Sequence, residues 1–178
     1  GFIYGGKGYE ILLDAAAQLA RPDMLVVFAG GAIPGNEAYL YALQARARSF
    51  GIERQLRITG YLSEDEFERY LVATDIPVCP YQQCYASSSL SSWISANQIV
   101  LTSRLPQFEE YEQMMPGAMC LFAPYTPTAM AEGIMRMMAA RLTASQNAIR
   151  RLREQLAIKN IVAQHIEQYQ ELYQGTVP

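Results

Sequence analysis

Over the first two thirds of the chain, short apolar runs alternate with amphipathic stretches. Residues 2–4, 24–29, 56–59, 76–79, 99–102 and 119–122 read as strands. The second run, Met24-Leu25-Val26-Val27-Phe28-Ala29, is apolar without a break, the pattern of a strand covered on both faces. Between the runs the period becomes helical. Leu12, Ala15, Ala16 and Leu19 share one face, as do Phe67, Tyr70, Leu71 and Thr74, and then Leu90, Trp93, Ile94 and Asn97. Ser63-Glu64-Asp65-Glu66 is a capping box that starts the second of these helices. Past Phe122 only helical patterns remain. One covers 129–142 with Met130, Ile134, Met137 and Met138 on one side; another stripe is Ile149, Leu152 and Leu156. A last helix over 160–174 carries Val162, Ile166, Tyr169 and Tyr173.

This alternation predicts an α/β fold. The expected form is a Rossmann-like, doubly wound, six-stranded parallel sheet with helices on both faces and extra C-terminal helices. In that order the first and fourth strands are neighbours, and the crevice beyond their C-terminal ends is the ligand site. Two loops would then meet: Gly5-Gly6-Lys7-Gly8 and the segment 81–89. Each leads into a helix N-terminus, where free N–H groups and the dipole favour an anion. One loop brings a lysine and the other Ser87, Ser88 and Ser89, which points to a phosphate-bearing ligand.

Composition narrows the classes. A chain of 178 residues fits one domain, and its hydrophobic fraction of 51% supports a substantial core. A net charge of −3 gives no footprint for a nucleic-acid partner. The apolar runs are too short to span a bilayer, and no signal-peptide pattern opens the chain. Cys79, Cys84 and Cys120 lack metal-type spacing and read as reduced thiols of a cytoplasmic protein. The chain opens directly on a strand-like run, as a fragment of a longer protein would.

Several motifs follow one another in a telling order. Lys7-Gly8 precedes Ile11-Leu12-Leu13-Asp14-Ala15-Ala16; then come Phe28-Ala29-Gly30-Gly31 and Thr59-Gly60-Tyr61-Leu62-Ser63. Val78-Cys79-Pro80-Tyr81, Val100-Leu101-Thr102-Ser103 with Glu109-Glu110, and Met130-Ala131-Glu132-Gly133-Ile134 complete the series. In these the chain resembles the C-terminal domain of a GT-B glycosyltransferase of group 1 (family 4). The resemblance implies a domain that holds a nucleotide-sugar donor, UDP- or GDP-linked, with no other cofactor and no metal. It also implies a missing N-terminal acceptor domain, through which peripheral membrane association could arise. Gly5, Gly6, Lys7, Ser87, Ser88 and Ser89 would hold the diphosphate. Gly60, Tyr61, Leu62, Tyr81 and Ser92 would lie near the nucleobase and ribose, and Cys84, Glu109 and Glu110 near the sugar.

The departures from the family pattern count as well. Phe2 stands where an arginine is common, and Asn97 and Ile99 replace a glycine and a proline before the fifth strand. The family's paired glutamates would fall at Cys84 and Ser92, and neither is acidic. Donor binding is therefore better supported than transfer, and no catalytic residue is assigned. A degenerate domain used for binding or scaffolding is the alternative; half of a sugar-nucleotide epimerase is a weaker one. Bland readings also stand beside the site. Lys7 could be a solvated lysine, the serines N-caps, Glu109 and Glu110 an acidic helix surface, and Arg150, Arg151 and Arg153 a solvated face. His165 is expected to pack at a core edge, and Cys79 to act as a small buried hydrophobe.

Overall fold

The computed structural model describes residues 1–84, 86–139 and 143–173. Strands β1 (Val26–Phe28), β2 (Leu56–Ile58), β3 (Val78–Cys79), β4 (Val100–Ser103) and β5 (Met119–Phe122) all pair in parallel. The helices are α1 (Tyr9–Leu19), α2 (Glu37–Ser49), α3 (Glu64–Ala73), α4 (Ser88–Ser95), α5 (Pro106–Met114), α6 (Pro127–Ala139), α7 (Thr143–Gln155) and α8 (Ile158–Tyr173). The α/β, parallel, Rossmann-like character is as expected. The continuous six-stranded sheet is not: among the described residues there are five strands in two sheets, β1-β2 and β3-β4-β5.

The difference lies at residues 2–4. Only Ile3 there is buried, Phe2 and Tyr4 are exposed, and the Gly5-Gly6 turn follows at once. The segment is long enough for a single parallel bridge, Ile3 to Ala32, placed beyond the end of β1. Nothing among the described residues pairs with the edges that β1 and β3 turn toward each other.

Helix α1 ties the halves together. Its Leu13 and Ala16 pack with Ile3, Val26, Phe28 and Leu43; its Ile11 and Ala15 join the larger core of β3, β4, β5, α4 and α6. Helix α7 anchors there through Ile149 and Leu152, both fully buried. Helix α3 starts on the expected capping box: Ser63 accepts from the Glu66 amide, and the Glu66 carboxylate accepts from the Ser63 amide. One face read as core is otherwise placed. Helix α8 buries no residue, leaving Val162, Ile166, Tyr169 and Tyr173 exposed. His165 is exposed too, and its Nδ1 lies 2.8 Å from the Ile161 carbonyl oxygen, a local helix contact rather than a core edge. The tail of the 129–142 pattern and residue 174 lie partly outside the described residues.

Candidate functional site

The first loop is held against the end of β3. Gly8 is the N-cap of α1 in the left-handed conformation (φ 77°). A Cβ there would sit 2.0 Å from the Pro80 carbonyl oxygen, so only glycine permits this approach. The Tyr125 hydroxyl donates to the same carbonyl at 2.8 Å. The second loop is braced from below by two hydroxyls of β4: Thr102 donates to the Cys79 carbonyl at 2.8 Å, and Ser103 donates to the Tyr81 carbonyl. Both hydroxyls end an otherwise apolar buried strand, a signal the apolar-run reading passed over.

Lys7 belongs to the first loop. Its ammonium donates to the Phe2 carbonyl at 3.1 Å and stands 4.7 Å from the centre of the Tyr4 ring. Three donors on the ammonium leave capacity beyond that one bond. Burial lowers its pKa from the ordinary lysine value, with a smaller opposing effect from Cys79. Lys7 has no carboxylate partner among the described ion pairs, so no counter-charge there offsets the cost of half-burying its ammonium.

Around Lys7 the serines divide. Ser87 is the N-cap of α4: its Oγ accepts from the Leu90 amide at 3.1 Å and lies 3.0 Å from the Tyr81 hydroxyl. Ser88 is exposed. Ser89 is the one beside the lysine. The position of a Cβ on Gly1 would be 3.1 Å from Ser89 Oγ and 3.7 Å from Lys7 Nζ, so both groups border one spot. Lys7, Gly8, Tyr81 and Ser89 also border the cavity that runs between β1 and β3. Ser91 and Ser92 turn their hydroxyls back to the carbonyls of Ser87 and Ser88.

The remaining candidates fall into separate places. Gly60 takes a left-handed turn after β2, and the Tyr61 hydroxyl donates to the Ala32 carbonyl at 2.7 Å. The Tyr61 ring lies over Gly31 and meets Phe2 edge-on, centroids 5.9 Å apart. Phe2, in the place of the family's arginine, thus links this turn to the lysine loop by aromatic contact. Leu62 is half-buried. Cys84 packs against the core, and burial raises its pKa, which opposes thiolate chemistry. Glu109 pairs with Arg104 at 2.9 Å and Glu110 is exposed. Neither lines the pocket of about 260 Å³ formed at the strand ends by Ser103, Arg104, Phe122 and Tyr125. No group of acids, histidines and cysteines suited to a metal occurs among the described residues.

A parallel α/β domain whose glycine-lysine loop and serine-capped helix both lie at the strand ends has a Rossmann-like architecture. The sequence profile of Glycosyl transferases group 1 matches residues 3–155. The chain belongs to that family, as its motif order implies. Among solved structures it is similar to a glycosyltransferase from Rickettsia africae ESF-5, with 14% identity and TM-score 0.79, covering 97% of this chain and 46% of that one. It is also similar to Anabaena Alr3699/HepE in complex with UDP, with 18% identity and TM-score 0.81 over 96% of this chain and 47% of that one. A third is the C-terminal domain of a group 1 family protein, LpcC, from Francisella tularensis, with 18% identity, TM-score 0.69, and coverage of 86% and 80%. The chain thus spans about half the length of the first two. Among curated proteins none matches the sequence. No helix among the described residues is long and apolar enough to cross a membrane.

Proposed function

We propose that this chain is the donor-binding, C-terminal half of a nucleotide-sugar-dependent glycosyltransferase. The observation that carries the proposal is the shared spot bordered by Lys7 Nζ and Ser89 Oγ, where the lysine loop meets the first turn of α4. There the ammonium, the Ser89 hydroxyl and the amides opening α4 would together take a diphosphate. During transfer the same groups would stabilise the departing nucleoside diphosphate, an electrostatic role that needs no metal. Sugar transfer itself would take place against an N-terminal acceptor domain, which would supply any base for the acceptor. The similarity to a protein solved with UDP supports a nucleoside diphosphate as the ligand. UDP and GDP are the candidates.

Thermal unfolding with each nucleoside diphosphate tests this reading. At a hundredfold excess over Kd, binding to the folded state alone adds about 2.7 kcal/mol of stability. A rise in Tm with UDP or GDP, abolished by Lys7→Ala, is the expected result. A flat response to every nucleoside diphosphate would overturn it.

A second reading has a specific observation behind it. The positions of the expected acids are Cys84, which packs on the core, and Ser92, whose hydroxyl is returned to its own helix at 2.9 Å. A domain that binds the donor without transferring it would look like this. Donor binding by the full-length protein with no glycosyl transfer to any acceptor would favour that version.

A further inference from the structure

The two sheets are separated by a slot. A cavity of about 690 Å³ runs between the facing edges of β1 and β3, lined along its length by residues 23–29 on one side and 75–81 on the other. Its two faces are helical. Leu12, Ile134 and Met137 close one face, and Phe67, Leu71 and Trp93 the other. Both edges have main-chain groups to offer. The Phe28 carbonyl accepts from the Thr59 amide on the β2 side, so the alternation of groups along a strand turns the Val27 carbonyl toward the slot. By the same reasoning, the Pro77 carbonyl accepts from Leu101 on the β4 side, which turns the Val78 amide and carbonyl inward. Unpaired backbone groups in such a place carry a cost that a ladder would remove.

The mouth of the slot already holds the beginning of that ladder. The Gly1 nitrogen donates to the Ala29 carbonyl at 2.5 Å, and the Ile3 amide donates to the Gly31 carbonyl at 2.9 Å. Donor and acceptor are 28 positions apart in the first bond, and the second keeps that offset. This is the repeat of a parallel pair. Continued backward, it seats the residue two before Gly1 on the Val27 carbonyl and the residue four before on the Leu25 carbonyl.

We propose that the slot receives a parallel β-strand formed by the residues preceding Gly1 in the longer natural protein, joining β1 to β3 in one sheet. The occupant is apolar on both faces, because its alternate side chains meet α1 and α6 on one side and α3 and α4 on the other. Helix α3 supports this: its face of Phe67, Tyr70, Leu71 and Thr74 lines the slot, yet the helix buries no residue. A small molecule filling the slot would leave two strand edges unbonded over their length. A second copy of this chain would have to thread an edge strand between two helical layers. The inference rests on the sheet alone and does not depend on the nucleotide reading.

The test compares the 178-residue chain with the same chain extended by the ten or so residues that its gene encodes before Gly1, both without nucleotide. Hydrogen exchange should show the Val27 and Val78 amides gaining protection by about 100-fold, and Tm should rise by about 10 °C. Proline at the residue two before Gly1, which removes the donor to the Val27 carbonyl, should return both readings toward those of the shorter chain. Unchanged protection at Val27 and Val78 in the extended chain would overturn the proposal. So would a polar segment, or none, encoded at those positions, or protection that appears only on dimerisation of the shorter chain.

Discussion

Alanine substitution along the lysine loop separates backbone conformation from steric contact, because its three glycines differ in kind. Gly5 has open space around a built Cβ and no left-handed backbone, so Gly5→Ala should be neutral or stabilising by up to about 1 kcal/mol. Gly6 also has open space but sits at φ 89°, so Gly6→Ala carries only the left-handed penalty, about 1 kcal/mol. Gly8 combines φ 77° with a Cβ position 2.0 Å from the Pro80 carbonyl oxygen and 2.8 Å from the Tyr125 hydroxyl. The carbonyl is backbone at the end of β3 and cannot rotate aside, so overpacking of about 1–3 kcal/mol adds to the conformational cost. Gly8→Ala should therefore lose about 2–4 kcal/mol.

At about 2–4 °C per kcal/mol for a domain of this size, that loss lowers Tm by about 10 °C. Thermal unfolding followed by circular dichroism, on the three variants in parallel, makes the comparison. Relief of the contact would also lift Lys7 from Ser89, so calorimetric UDP affinity should fall more in Gly8→Ala than in Gly6→Ala. A Gly8→Ala variant no less stable than Gly6→Ala would refute the loop-to-strand contact from which the whole site is built.

Two further outcomes follow from burial of titratable groups. Lys7 has its pKa lowered from 10.5 by burial, so the folded state holds its proton less tightly than the unfolded state does. Its destabilisation is complete below the folded pKa and fades as pH rises toward 10.5. Lys7→Met should thus stabilise the ligand-free protein at neutral pH, lose the nucleotide response, and flatten the pH dependence of Tm in the alkaline range; a destabilised Lys7→Met would contradict this. Burial pushes the Cys79 thiol up to about 11, so at pH 8 a thiol reagent should leave it unmodified in the folded protein and label it only on denaturation. Peptide mapping after labelling reads this directly, and prompt native modification of Cys79 would count against its buried position.

Much of the local structure around the candidate site was legible because its elements announce themselves locally. Glycines around a lysine, a capping box at Ser63 and a serine before α4 each have a short-range physical meaning. What local pattern could not do was assign the serines. Ser87 is consumed by its cap and by Tyr81, and Ser91 and Ser92 by their own helix, while Ser89 alone borders the lysine. Which hydroxyl is available depends on helix phase and on a hydrogen bond from another loop. Likewise Tyr125, whose hydroxyl reaches the Pro80 carbonyl from 45 positions away, leaves no mark near the loop it supports.

Where pattern and structure disagree, the disagreement has a direction. Phe67, Tyr70, Leu71 and Thr74 have the spacing of a buried face, and Met24 to Ala29 the unbroken apolarity of a central strand. In the structure α3 buries nothing and β1 stands at a sheet edge. Val26 and Phe28 are buried as the structure stands, but Met24, Leu25, Val27 and the α3 face are half-buried or exposed. A chain selected only for these contacts would place polar residues at such positions, since an uncovered apolar edge invites misassembly. Hydrophobic periodicity records what the working protein covers. The mismatches around the slot therefore mark surface that is covered in that protein, and the ladder begun by Gly1 and Ile3 fixes both the direction and the register of its covering strand.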